Sequence, residues 1–323
     1  SFQETDMIGV SRPIVKHSYL VQSAEEIPSI VQEAFYIAQT GRPGPVVIDI
    51  PKDKTDPLHK YKYKKPAKPY LRSYQPKINP HPGQIKKAAK AILSSERPVI
   101  YAGGGAIYSN AAKELSELNK ILKVPVTNTL MGLGVYPAKN KLFLGMLGMH
   151  GTYQANMAMH NADLILAVGS RFDDRITNTP SLFAPNAKIV HIDVDPASIS
   201  KIIKADIPIV GQVKDSLQAL IKEIKRSKIK IDTDAIDIWN IQIDKWRKKH
   251  GLDHDLYQKK LKSKMIMPQV VVQELYNVTK GNAYVTSDVG QHQMFVAQYY
   301  HFNKPRRWIN SGGLGTMGFG LPA

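Results

Sequence analysis

The sequence contains no cysteine. That excludes a disulfide framework, thiolate metal ligands and a cysteine nucleophile, and it suits a reducing compartment. Long hydrophobic runs are also missing. The longest, around residues 163–169 and 99–102, fall far short of the roughly 20 apolar residues that span a bilayer. Mean hydropathy is −0.27, and no signal or transit pattern is visible. Acidic residues are scarce: 27 Asp and Glu face 44 Lys and Arg, a net charge of +17. Such an excess raises nucleic acid or an anionic membrane as a partner. Its placement argues against both. Much of it lies in residues 54–72 and 201–264, and the second stretch mixes in Asp232, Asp234, Asp237 and Asp244. Tyr61, Tyr63 and Tyr70 do interleave with lysines, as in a stacking platform. However, Pro57, Pro66 and Pro69 break that segment into an extended connector. The expectation is a cytoplasmic enzyme with a basic surface, binding neither nucleic acid nor membrane.

What is present supports a globular core: 43% of residues are hydrophobic and 22% charged. A length of 323 residues allows two domains, or one whole domain with parts of others. The sequence opens on Ser1 and closes on Leu321-Pro322-Ala323, just after a glycine-rich turn. It reads as an internal piece of a longer protein.

Residues 24–40 carry apolar side chains at helical spacing up to Gly41, and a short strand follows at 45–50. Residues 57–82 form a proline- and lysine-rich linker. From residue 83 to 226, helices and strands alternate. Strands are expected at 98–102, 125–129, 164–168, 188–193 and 209–210, and a helix opening near Pro196. This pattern predicts a complete doubly wound domain with a parallel sheet covered on both faces. Residues 227–266 read as a polar connector holding one helix around Trp239 and Trp246, and residues 267–323 as the start of a third α/β block.

Open parallel sheets bind ligands at the carboxyl ends of their strands, and four strand ends here are distinctive. Gly103, Gly104 and Gly105 follow the first, either as a backbone that admits a ligand or as a tight turn. Gly169 to Arg175 follows another, with Arg171, Asp173, Asp174 and Arg175 as an anion anchor or a surface ion-pair network. Asp193 sits where ribose hydroxyls are often held, while Asp195 before Pro196 suits a helix cap. Asp288 to Gln293 opens a helix after a strand, a good anion site. Between them, Met146 to Gly151 places methionines, glycines and a histidine in one loop, as core filler or as the lining of a flat ring. Gly313, Gly315 and Gly318 match the dinucleotide fingerprint G-x-G-x-x-G, a weak signal read here as a different phosphate cradle.

Together these segments resemble the catalytic large subunits of acetolactate synthase (acetohydroxyacid synthase), a family of thiamine-diphosphate enzymes. The resemblance is carried by residues 1–4, GRPGPVVIDIPKD (41–53), MLGMHGTYQANMAMHNADLILAVGSRFDDR (146–175), HIDVDPASISK (191–201), SDVGQHQMF (287–295) and INSGGLGTMGFGLPA (309–323). It implies a three-domain α/β thiamine-diphosphate fold, of which 1–56 is the tail of the pyrimidine-binding domain, 83–226 the central FAD-binding domain and 267–323 the head of the diphosphate-binding domain. It implies a transferase that decarboxylates pyruvate and joins the remainder to pyruvate or 2-oxobutyrate, in branched-chain amino acid biosynthesis. A pyruvate oxidase or glyoxylate carboligase type, or a non-catalytic nucleotide-binding module, are the alternatives. By the same resemblance FAD contacts fall on Arg42, Gly103, Gly104, Gly105, His150, Gly151, Gly169, Arg171, Asp193, Val194 and Gln212. The family commonly has a carboxylate where Gln212 stands. Phe2, Gln3 and Lys52 match active-site positions, Met149 and Arg175 the site of the second 2-oxo acid, and Val289, Gly290, Gln291, His292, Gly315 and Met317 the thiamine-diphosphate contacts. The family's catalytic glutamate and Mg²⁺ ligands have no counterpart in these 323 residues, so this chain alone is expected to be inactive. A homodimer with a small regulatory subunit is also implied.

Overall fold

The computed structural model describes residues 4–58, 60–76, 79–252 and 266–323. Contacts divide the chain into two units, residues 1–77 and 78–323.

The first unit holds α1 (Met7–Ser11), β1 (His17–Leu20), α2 (Ile27–Gln39) and β2 (Val46–Asp49). β1 and β2 pair in parallel, His17 opposite Val46, with α2 as the crossover. Ala34 and Ile37 are the buried residues of α2. Lys16 closes the C-terminal end of this helix by donating to the carbonyls of Ile37 (2.5 Å) and Thr40 (2.6 Å), where helix carbonyls lack partners. Its Nζ also donates to the Tyr74 hydroxyl at 2.7 Å, which anchors the expected linker. Residues 60–76 hold no helix or strand.

The second unit begins with α3 (Pro82–Leu93), β3 (Pro98–Ala102), α4 (Gly104–Tyr108), α5 (Ala112–Leu122), β4 (Val126–Asn128) and β5 (Phe143–Met146). It continues with α6 (Tyr153–Asn161), β6 (Leu164–Val168), α7 (Asp174–Thr177), β7 (Lys188–Asp193), β8 (Ile207–Val210), α8 (Val213–Arg226) and α9 (Thr233–His250). Six strands form one parallel sheet in the order β5-β4-β3-β6-β7-β8. The chain enters in the middle at β3, runs outward to β5, returns to β6 and runs outward again to β8. The doubly wound expectation holds, and the order reverses between β3 and β6. Both of these strands are buried along their whole length. Alternate residues of β3 face opposite sides. Ile100 and Ala102 pack with Leu115, Leu118 and Leu217 from α5 and α8. Val99 and Tyr101 pack with Ala158 and Met159 of α6 and Trp239 of α9.

Two expectations need amendment. No helix opens at Pro196; residues 196–200 are turns. Asp195 still caps, its Oδ1 accepting from the Ala197 N–H (2.9 Å) and its Oδ2 from the Ser198 hydroxyl (3.1 Å). Such short-range side-chain bonds compete with helix propagation. The expected connector at 227–266 carries α9, which is part of the core. Trp239 is 3% exposed, stacks edge-on with Trp246 and donates to the Pro98 carbonyl at 3.3 Å.

The third block adds α10 (Pro268–Thr279), β9 (Val285–Ser287), α11 (Gln291–Tyr299) and β10 (Trp308–Asn310), with β9 and β10 parallel. Val285, Val296, Phe302 and Trp308 share a cluster with Leu133 and Met146, so this block packs against the β5 side of the sheet.

Candidate functional site

A sheet whose strand order reverses leaves a crevice outside the carboxyl ends of the two strands flanking the reversal. Here those strands are β3 and β6, and both run directly into glycine. The backbones after them nearly touch. A Cβ on Gly103 would lie 2.3 Å from the Gly169 carbonyl oxygen, and one on Gly105 2.8 Å from the Gly169 Cα. Gly169 itself has φ +60°, a conformation that favours glycine. Gly103 and Gly105 are therefore required by backbone packing, and Gly104 faces the Cβ of Met131 at 3.2 Å. The tight-turn reading of the triplet is correct for these contacts, and Gly104 and Gly105 also open α4.

Two further strand ends contribute. β7 delivers Asp193 and Val194, both half-buried, and Gln212 caps α8 just after β8 without a side-chain capping bond. Within β7, His191 is fully buried, its Nε2 2.8 Å from the Ser170 carbonyl and 4.0 Å from the Asp193 carboxylate. Desolvation drives its pKa down to about 4, so the ring is neutral at pH 7 and Nε2 donates to Ser170. The side chain thus pins the loop after β6.

That loop carries the charged cluster. Arg171 bonds Asp173 at 2.7 Å, and both side chains reach the surface. Burial raises the Asp173 pKa, but the Arg175 N–H, Asp174, Arg171 and Arg175 outweigh it and hold the carboxyl below its usual range. Asp173 also caps α7 through the Arg175 N–H. The Arg175 side chain is 73% exposed and only loosely paired, 3.8 Å from Asp174. Met149, 63% exposed, is joined to it through the backbone, since its N–H donates to the Arg175 carbonyl at 2.9 Å. His150 is exposed and Gly151 half-buried in the same loop. The structure therefore brings Met149, His150, Gly151, Arg171 and Arg175 onto neighbouring loops.

The sequence reading passed over the loop after β4. Asn128 is fully buried, with its Oδ1 unpartnered, and the Thr129 hydroxyl is buried and unpartnered. A Cβ on Gly132 would meet the Ala102 carbonyl at 2.5 Å. The signal was the strand followed by Met131-Gly132-Leu133-Gly134, a glycine-spaced turn beside the triplet. Unpaired buried polar atoms beside a glycine crevice are suited to a polar ligand.

A second patch lies in the third block. Gly290, with φ +146°, caps α11, and Gln291 and His292 expose its first turn. Asp288 accepts from the Val289 N–H at 2.7 Å and from the Gly318 N–H at 2.8 Å, which lowers its pKa. This carboxylate ties the glycine-rich 313–318 turn to the helix start. A Cβ at Gly313 or Gly318 would meet nothing within 4 Å, whereas one on Gly315 would reach only the Val289 side chain at 3.8 Å. The turn presents open backbone there, with Met317 exposed beside it. A helix N-terminus and a glycine turn facing open space fit a phosphate-bearing group. Among the described residues, no group of three or more His, Asp or Glu is placed to hold a metal ion. No helix among them is long and apolar enough to cross a membrane.

Arg42 and Lys52 lie in the first unit, both exposed, after α2 and β2 respectively. Phe2 and Gln3 lie outside the described residues.

Residues 85–220 match the thiamine pyrophosphate enzyme central domain, and residues 288–323 the thiamine pyrophosphate enzyme C-terminal TPP binding domain. Over all 323 residues the chain is 53% identical to the acetolactate synthase isozyme 3 large subunit of Escherichia coli and 54% identical to the acetolactate synthase large subunit of Haemophilus influenzae. It is 47% identical to the probable acetolactate synthase large subunit of Methanocaldococcus jannaschii. The chain spans about 55% of the length of the first two and 54% of the third.

Proposed function

Because the chain belongs to the acetolactate synthase large-subunit family of thiamine pyrophosphate enzymes, we propose that it is part of a cytoplasmic carboligase. This transferase converts two pyruvates to 2-acetolactate and CO₂, or pyruvate and 2-oxobutyrate to 2-aceto-2-hydroxybutyrate and CO₂. The observation that carries the reading is the pairing, in one chain, of a glycine-lined crevice at the β3–β6 reversal with a glycine cradle at the start of α11.

Thiamine diphosphate, when bound, supplies the electron sink that lets a 2-oxo acid lose CO₂. The residues suited to its diphosphate are Val289, Gly290, Gln291 and His292 at the helix start, with Gly315 and Met317 on the turn that Asp288 holds against them. Arg175 takes the carboxylate of the second 2-oxo acid through its guanidinium and so orients the acceptor. Met149, held to Arg175 through the backbone, gives that site an apolar wall. Lys52, Phe2 and Gln3 are assigned to the active site by the family resemblance alone, and a homodimer is part of the same reading.

The central crevice fits a flavin dinucleotide. Gly104, the unpaired Asn128 and Thr129 oxygens and Arg171 suit its phosphates and ring edge, and Asp193, Val194 and Gln212 its ribose side. With Gln212 in place of a carboxylate, the last contact is an uncharged hydrogen bond. His150 and Gly151 join the same assignment, Arg42 is assigned to FAD by the family resemblance alone, and FAD has a structural role. The described residues do not fit Mg²⁺, and none is assigned to it. A small regulatory subunit completes the assembly.

The test is product analysis of the full-length protein with pyruvate, thiamine diphosphate and Mg²⁺. Acetolactate is expected. Acetate or acetyl phosphate would move the assignment to an oxidase. In Arg175→Ala, acceptor use falls sharply while flavin content is retained; unchanged turnover would remove Arg175 from the site.

A further inference from the structure

The loop 148–151 is held from three directions. Asn156 of α6 grips the Gly148 peptide on both sides, accepting from its N–H and donating to its carbonyl, each at 3.0 Å. The Arg175 carbonyl accepts from the Met149 N–H, and Gly148 has φ +105° with no room for a Cβ, which would sit 2.7 Å from that same carbonyl. Both anchors belong to helices of the central sheet. The third comes from another block: Gln298 of α11 donates through Nε2 to the His150 carbonyl at 2.8 Å.

α11 thus has two kinds of company. Its first turn carries Gln291 and His292, the suggested diphosphate contacts. Two turns later, its Gln298 holds the carbonyl of His150, the residue that follows Met149. The helix also packs through Val296 and Ala297 into the cluster containing Met146, at the start of the same loop. A rigid nine-residue helix therefore spans from the cradle to the acceptor loop. Holding a glutamine side chain in one rotamer costs conformational entropy, and this one is spent on a single backbone carbonyl of that loop.

We infer that Gln298 is a positioning residue: through its bond to the His150 carbonyl, the helix that bears the diphosphate end sets where Met149 stands. This rests on the carboligase reading above. Loss of the donor lets the 149–151 peptides drift from the register in which acceptor and cofactor meet, without touching either directly.

The experiment uses the full-length holoenzyme carrying Gln298→Leu, which keeps the bulk and removes the donor, and Gln298→Lys, which keeps a donor on a long chain. In Gln298→Leu the KM for 2-oxobutyrate as acceptor rises about fivefold, the scale of one net hydrogen bond, while half-saturation by thiamine diphosphate changes less than about twofold. Gln298→Lys recovers most of the loss. A readout independent of turnover is the ¹³C-methyl resonance of Met149, assigned by its disappearance in Met149→Leu. It shifts when thiamine diphosphate and Mg²⁺ are added to the wild type and stays in place in Gln298→Leu. An unchanged acceptor KM in Gln298→Leu, in a background where Arg175→Ala does shift it, overturns the inference and leaves the carboligase reading intact. If the wild type makes no acetolactate, that reading fails. The inference is overturned in either case by a Met149 resonance that behaves identically in wild type and Gln298→Leu.

Discussion

Gly103→Ala tests the central crevice with one added methyl group. The Gly103 backbone, at φ −112° and ψ −173°, is open to any residue, so the substitution carries no conformational penalty of its own. The whole effect comes from contact. The new Cβ would stand 2.3 Å from the Gly169 carbonyl oxygen and 2.9 Å from both the Cα and Cβ of Ser170. Two of these three atoms are backbone and cannot rotate away, so the loop after β6 must separate from the end of β3. Overpacking of this kind costs about 1–3 kcal/mol, which corresponds to a fall of roughly 2–10 °C in Tm for a unit of this size. The same separation widens the crevice at the sheet reversal, so added FAD should bind the variant more weakly than the wild type. Thermal unfolding by circular dichroism and flavin titration by fluorescence quenching read the two effects. Gly313→Ala is the control, because nothing lies within 4 Å of its Cβ position. Gly103→Ala with the Tm and flavin affinity of the wild type would refute the argument that this glycine is there to let two strand ends approach.

His191 gives a pH signature. Its folded pKa of about 4 lies below its unfolded value near 6.5, so the unfolded chain binds the extra proton first. The stability it allows is complete above pH 6.5 and declines as pH falls toward 4, and urea titrations of His191→Leu should show a flatter profile across that window. The lowered Asp173 and Asp288 carboxyls act below it, through their own folded pKa values beneath 3.8. Trp239→Ala should destabilise the second unit by about 3–5 kcal/mol, because a large buried ring leaves a cavity between α9 and the sheet. An exposed residue of the same helix such as Ile238 should tolerate alanine within about 0.5 kcal/mol in the same denaturation assay. Asp288→Asn should weaken thiamine diphosphate binding by up to roughly tenfold in the full-length protein, since the amide nitrogen replaces one of the two carboxylate oxygens that accept from the Gly318 N–H; isothermal titration measures it.

How far the sequence could be read depended on how local each cause was. The strands at 98–102, 164–168 and 188–193 were placed to the residue, because a short apolar run bounded by turn residues or by a helix end states both its burial and its limits. β1 went unread: HSYL carries neither strict alternation nor a flanking glycine, and its pairing with residues 46–49 is a long-range choice. The helix expected at Pro196 failed because Asp195, a good cap, spent its oxygens on two turn donors. The helix around Trp239 and Trp246 was expected inside a polar connector, because its polar and charged residues together outnumber its apolar ones. Its burial depends on Trp239 and Ile243 meeting a sheet face assembled from β3, β6 and β7, strands far from it and from one another in the sequence.

The sequence by itself determined the alternation of helix and strand, the residues that end each strand and, through whole motifs in order, the family. Only the tertiary structure decided what those ends do to one another. It showed that Gly103 and Gly105 are glycines because Gly169 lies against them, that His191 pins the loop after β6, that Asn128 and Thr129 join the same crevice, and that Gln298 reaches the loop of Met149. The physical reason is that propensity and burial patterns act between near neighbours, whereas a crevice is a distance between backbones that sheet order alone brings together.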